Sequence, residues 1–94
     1  MDIAKASIVQ SDAGRDKGKL FFVLNVEDEF LLLADGKSRK VEAPKRKKRR
    51  HVQFVAAEQT RVSEKIISKE KVTNSELRRT LAAYREEVQP DQEG

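Results

Sequence analysis

The sequence predicts a mainly β fold: a small antiparallel barrel of short strands, followed by one C-terminal α-helix. Three observations predict it. Residues 6–55 carry apolar blocks of four or five residues, or alternating apolar residues, separated by turn residues. Asp35-Gly36 sits between two of these segments as a strong short-range hairpin signal. A helical stripe emerges only near the end of the chain, in Leu77, Leu81, Tyr84 and Val88. A closed barrel is expected over an open sheet because closure removes the apolar edges that short strands present.

Ala6–Gln10 reads as a first strand with a β-branched centre. A loop rich in glycine and charge follows from Ser11 to Gly18. Lys19–Val26 is the second strand, with Leu20, Phe22, Leu24 and Val26 on one apolar face and Lys19, Phe21, Val23 and Asn25 on a mixed one. Phe21 is expected to pack in the core rather than stack on a base. Glu27-Asp28-Glu29 is a polar turn; it lacks the ligand spacing of a calcium loop. Phe30–Ala34 is the third strand. After Asp35-Gly36, which suits a type I′ turn, Lys37–Glu42 is expected to return as a fourth strand anchored by Val41.

Pro44 ends that strand, and the run Lys45-Arg46-Lys47-Lys48-Arg49-Arg50-His51 follows. Six consecutive like charges repel one another, so the run is expected to be an extended, mobile arm. Val52–Val55 is the candidate closing strand. Residues 56–72 fit either a helical turn or a short strand at Val62, Ile66 and Ile67. Thr73-Asn74-Ser75-Glu76 has the capping-box spacing, Ala82 and Ala83 favour helix, and Pro90 stops it. The expected organisation is a barrel over 1–55 with its basic arm at 45–51, a connector over 56–72, a helix over 73–89 and a disordered tail over 90–94.

Charge is concentrated. The chain has 94 residues, 38% of them charged, with a net charge of +4. Residues 1–36 carry four basic and seven acidic side chains, residues 37–54 nine and one, and residues 55–94 seven and eight. All of the positive excess therefore lies in one short segment. Such a localised patch is an electrostatic footprint for a polyanion, although basic runs also serve as nuclear-import signals.

Two groups of candidates follow. In the loop, Gly14 and Gly18 free the backbone for close approach of an anion, and Arg15, Lys17 and Lys19 supply charge. Asp16 is expected to orient Arg15 or to cap the turn. In the basic segment, Lys37, Arg39, Lys40, Lys45, Arg46, Lys47, Lys48, Arg49, Arg50 and His51 are candidate phosphate contacts.

Other classes find little support. The chain has no cysteine and a single histidine, which leaves no thiolate or histidine cluster for a metal. It has no nucleophile paired with a base and no GxxxxGK[ST] loop, and so small a barrel leaves no room for a buried substrate cleft. An enzyme, a cofactor and a metal are not expected. The N-terminal residues do not read as a signal peptide, and the five-residue apolar runs Leu20–Leu24 and Phe30–Ala34 are far shorter than the roughly 20 residues that cross a bilayer. A cytoplasmic monomer with no membrane contact is expected.

SIVQSDAGRDKGKLFFVLNV resembles a KOW motif, in which a turn with a key glycine joins two strands; Gly18 falls at that glycine. AGRDKGK, ADG and RKVEAPKRKKRRH together resemble the small KOW-domain RNA-binding proteins related to the large-subunit ribosomal proteins fourteen-e and twenty-seven-e. The resemblance covers residues 6–55. It implies an SH3-like β-barrel, no catalytic activity, and ribosomal or other structured RNA as ligand, with ribosomal proteins as neighbours. Transcription elongation factors of the NusG type also carry KOW motifs, there with protein contacts as well. A protein–protein adaptor whose basic arm docks on an acidic partner is the alternative reading.

Overall fold

The computed structural model describes residues 3–57 and 59–88, the last three as backbone only. The expected tail at 90–94 lies outside the described residues. Five strands, β1 (Ile8–Ser11), β2 (Leu20–Glu27), β3 (Phe30–Ala34), β4 (Lys45–Lys48) and β5 (Val52–Ala56), form one antiparallel sheet in the order β4-β3-β2-β1-β5. Two helices follow, α1 (Arg61–Ile67) and α2 (Asn74–Val88). Short 3₁₀ turns, Gly14–Asp16 and Arg49–His51, interrupt the β1–β2 and β4–β5 connections. No ladder joins β4 to β5 among the described residues, so the expected closed barrel is an open sheet by its hydrogen bonds.

Both faces of the sheet are buried. On one face, Ala6, Ile8, Leu20, Phe22 and Ala34 pack against Val62 and Ile66 of α1 and Leu77 and Leu81 of α2. The other core, Ile3, Val9, Phe21, Val23, Leu31, Leu33 and Val52, contains no helical residue. Its residues come from β1, β2, β3 and β5, with Ile3 ahead of them. Phe21 is fully buried there, as expected of a core ring; its burial is worth about 2–3 kcal/mol.

Strand β2 serves both cores by alternation, and a bulge switches the faces beyond Leu24. Its register with β3 shifts between Val23 and Asn25, leaving Leu24 as the extra residue. Strict alternation puts Val26 with Leu20, Phe22 and Leu24. The bulge reverses the parity, so Leu24 packs on the helix-covered core and Val26 on the inner one.

The tight hairpin lies earlier than expected. Glu27 pairs with Phe30, and Asp28-Glu29 makes the two-residue connection. Asp28 takes a φ of 55°, a left-handed conformation that aspartate tolerates. Asp35-Gly36 is not a hairpin turn, and the expected strand Lys37–Glu42 does not form. The Asp35 carboxylate instead accepts the main-chain N–H groups of Lys37 and Arg39, at 2.9 and 2.8 Å, and the Ser38 hydroxyl at 2.9 Å. These bonds wind residues 35–39 into a compact loop, because a side-chain acceptor competes with a strand ladder for the same donors.

That loop docks on α2. Val41 N–H donates to Asn74 Oδ1 at 2.8 Å, Asn74 Nδ2 to Glu42 at 3.0 Å, and Arg78 to the Gly36 carbonyl at 2.8 Å. The capping box that starts α2 forms as expected: Glu76 N–H donates to Thr73 Oγ1, and Thr73 N–H to the Glu76 carboxylate. Within the expected connector, Arg61–Ile67 form α1, whose own capping box pairs Thr60 with Ser63. Lys65 ties α1 to α2 through Glu76 at 2.7 Å, and this bond, with that from Thr73, holds the Glu76 carboxyl below its ordinary value. Leu77 and Leu81 of the expected stripe are fully buried and Tyr84 packs beside them; the Val88 side chain lies outside the described residues.

The Asp35 loop sets an acid limit. Burial raises the Asp35 pKa, but bonds from Arg39, Lys37 and Ser38 outweigh it and hold the group below 3.8. A carboxyl depressed on folding contributes stability that is complete above its unfolded value and is lost as pH falls through the lower folded value. Urea midpoints are therefore expected to fall below about pH 4, and part of that fall is expected to vanish in Asp35→Asn. An unchanged acid limb in the variant contradicts this role.

Candidate functional site

Strand periodicity splits the basic run into two faces. Residues 45–48 are not a mobile arm but the edge strand β4, paired with β3 through Leu33↔Lys45, Leu32↔Arg46, Leu31↔Lys47 and Phe30↔Lys48. The β3 ladder fixes the backbone despite the repulsion, and alternation sends neighbouring charges to opposite sides. A charged edge also discourages pairing with a second sheet.

Lys45 and Lys47 turn toward the β1–β2 loop. Lys47 is only 9% exposed, and its Nζ donates to the Ala13 carbonyl at 3.0 Å. This makes Lys47 a strut between the sheet edge and the glycine loop. A second brace lies close by, from Asp12 N–H to the His51 carbonyl at 3.0 Å. Arg46 goes the other way: it lies 3.9 Å from the centroid of the Phe30 ring and 3.5 Å from Glu27.

Gly14 and Gly18 both adopt left-handed backbone angles, with φ of 77° and 90°. Gly14 opens the 3₁₀ turn Gly14–Asp16, Gly18 follows it, and Arg15, Lys17 and Lys19 are left exposed. Asp16, by contrast, is buried. It does not pair with Arg15 as expected. Its carboxylate instead faces Lys19 at 3.8 Å, Arg39 at 3.9 Å and Lys45 at 3.4 Å.

The structure thus brings together Gly14, Lys19, Arg39, Lys45 and Lys47, from three separate segments. Arg15 and Lys17 lie exposed on the same loop as Gly14 and Lys19. Lys37 and Lys40 lie on the exposed β3–β4 loop, outside it. Lys48, Arg49 and Arg50 line a smaller pocket of about 280 Å³ with Asp28 and Glu29, and the Arg49 N–H donates to the Glu29 carbonyl at 2.7 Å. Among the described residues, Arg15, Lys17, Lys37, Lys40, Lys48, Arg49 and Arg50 form no ion pair.

Sequence reasoning missed the role of Asp16. The only available signal was an acid flanked by Arg15 and Lys17, and its three partners lie up to 29 positions away. A surface groove of about 600 Å³, open rather than a buried cleft, runs beside β2, floored by Leu24, Val41, Ile66 and Val72 and rimmed by Lys5, Lys69 and Lys71 with Glu42 and Glu70. No histidine, serine or threonine lines this groove, and no metal-binding cluster of histidine and carboxylate side chains occurs among the described residues. Nor is any helix among them long and apolar enough to cross a membrane.

No family model and no curated protein matches this chain.

Proposed function

We propose that this protein is a non-catalytic RNA-binding module that grips the phosphate backbone of structured RNA, in the manner its KOW-like sequence implies. The observation that carries the reading is the arrangement of cations without aromatics. Exposed Arg15, Lys17, Lys19 and Arg50, with half-exposed Arg39, Lys45, Lys48 and Arg49, are held on short, braced elements. No phenylalanine among the described residues offers an open face: Phe21 and Phe22 are buried, Phe54 packs on the inner core, and Phe30 lies under Arg46. A single-strand binder stacks bases on exposed rings, whereas a backbone binder needs only positioned charge.

The fold is compatible with an SH3-like barrel. Support comes from the strand order β4-β3-β2-β1-β5, the 3₁₀ turn between β4 and β5, and the braces Lys47–Ala13 and Asp12–His51, which draw the β1–β2 loop toward the far edge of the sheet. Ribosomal RNA is the proposed ligand and the cytoplasm the proposed compartment.

Fluorescence anisotropy with an RNA hairpin tests the reading. Neutralising about five phosphates gives a slope of log K against log salt near −4 to −5 on a duplex. A salt-independent affinity overturns the mechanism. Equally tight binding to a poly-glutamate peptide favours the adaptor reading instead.

A further inference from the structure

We infer that Lys19, Arg39 and Lys45 form a binding site for one phosphate group, assembled by the buried carboxylate of Asp16. The inference rests on the RNA reading, and deepens it, in taking that group to be a phosphodiester of the RNA backbone. An acid in a polyanion-binding surface is at first sight a defect. Its geometry gives it a purpose.

The three cations come from the β1–β2 loop, the β3–β4 loop and strand β4, and they share no ladder or helix that sets their side chains. Like charges brought this close repel. The Asp16 carboxylate, 6% exposed, offsets that repulsion and draws all three heads to one point. It does not exhaust them. The contacts are loose, at 3.4–3.9 Å, against about 2.8 Å for a full charge-assisted bond. Lysine has three donors and arginine five, so most donors stay unused. The side chains are 48% exposed at Lys19, 40% at Arg39 and 31% at Lys45, so their heads reach solvent while the carboxylate behind them does not.

Arg39 Nη2 and Lys45 Nζ both sit on Asp16 Oδ2, at 3.9 and 3.4 Å. The shared oxygen keeps the two donors within about 7 Å of each other, a span that one phosphate accepting a bond of about 2.8 Å on each side reaches across. Three cations against one carboxylate leave a local charge of +2, which a phosphodiester reduces to +1. Asp16 is thus a positioning residue: it touches no ligand but holds the groups that do.

Asp16→Asn separates this role from that of a simple counter-ion. Removing a negative charge from a polyanion-binding surface tightens binding if Asp16 only neutralises. If it positions the cluster, RNA affinity falls, by roughly five- to ten-fold at about 0.1 M salt, the loss of one neutralised phosphate. Asp16→Glu is expected to recover part of it. Tighter binding by a folded Asp16→Asn overturns the inference.

NMR titration of the native protein with inorganic phosphate is the second arm. Amide shifts are expected at Asp16, Lys19, Arg39 and Lys45, and are expected to disappear in the single variants Lys45→Gln and Arg39→Gln, which retain Asp16 if Asp16→Asn fails to fold. Absence of phosphate shifts in the native protein, or their persistence in both variants, overturns the site while leaving RNA binding intact. Phosphate shifts with no RNA binding keep the site and remove the RNA reading, making a free phosphate the ligand.

Discussion

Gly36→Ala is expected to destabilise the protein by about 3 kcal/mol and to lower the melting temperature by about 12–20 °C. Two independent costs add. The φ of 79° at Gly36 lies in the left-handed region, where a side chain costs about 1 kcal/mol. A Cβ there also runs into the main-chain carbonyl of Asn74 at the start of α2, a backbone group that cannot rotate away. Relieving such overlap typically costs a further 1–3 kcal/mol. The strain falls where the loop is pinned to α2 by Arg78–Gly36 and Val41–Asn74, so it loosens the packing of Leu77 and Leu81 as well. Gly18→Ala is the internal control. Its φ of 90° carries the same backbone cost, but nothing lies within 4 Å of the added carbon. It is expected to lose only about 1 kcal/mol. Equal melting temperatures for the two variants contradict the proposed contact with α2.

The same two glycines show what was legible in the sequence. Gly18 could be read because its role is local: a turn between two apolar segments. Gly36 was equally visible as a turn residue, but its closest neighbour lies 38 positions away, and no local pattern reports that. Asp35 misled for a related reason. Asp-Gly between apolar segments favours a hairpin, yet the carboxylate satisfied the N–H groups of residues 37 and 39 and diverted the chain into a loop that serves α2. The alternating apolar residues of β2 and the capping box of α2 were legible because each is set within a few residues. The bulge at Leu24 was not, since it exists only relative to β3.

The candidate site divides along the same line. The cationic composition was fully legible, but the conformation was not. Charge repulsion argued for a mobile arm, and pairing with Leu31 and Leu33 won instead, because a ladder with an already buried strand satisfies backbone groups that the arm would otherwise leave to water. Once residues 45–48 are a strand, period-two alternation gives each lysine a separate task. Asp16 acquires its role only when three distant segments meet.

This division of labour makes the second large expected effect specific. Replacing Lys48, Arg49 and Arg50 together with glutamine is expected to weaken RNA binding by about 10²–10³-fold at 0.1 M salt and to reduce the magnitude of the salt slope by nearly three. Stability is expected to stay within about 0.5 kcal/mol, because none of the three charges is paired among the described residues. The structural bonds of this segment, among them Arg49 N–H to the Glu29 carbonyl and Val52 N–H to the Arg49 carbonyl, belong to the backbone and survive the substitution. Lys47→Gln makes the contrast. Its ammonium is committed to the Ala13 carbonyl, so its loss is expected to cost about 1 kcal/mol of stability. Because Lys47 has little surface to offer a ligand, the direct effect on affinity is expected to be less than that of any exposed cation. Urea unfolding and anisotropy on both variants decide the matter. If Lys47→Gln weakens binding as much as the triple variant does, position along the run does not matter, and the binding is that of a diffuse charge cloud rather than of a folded surface.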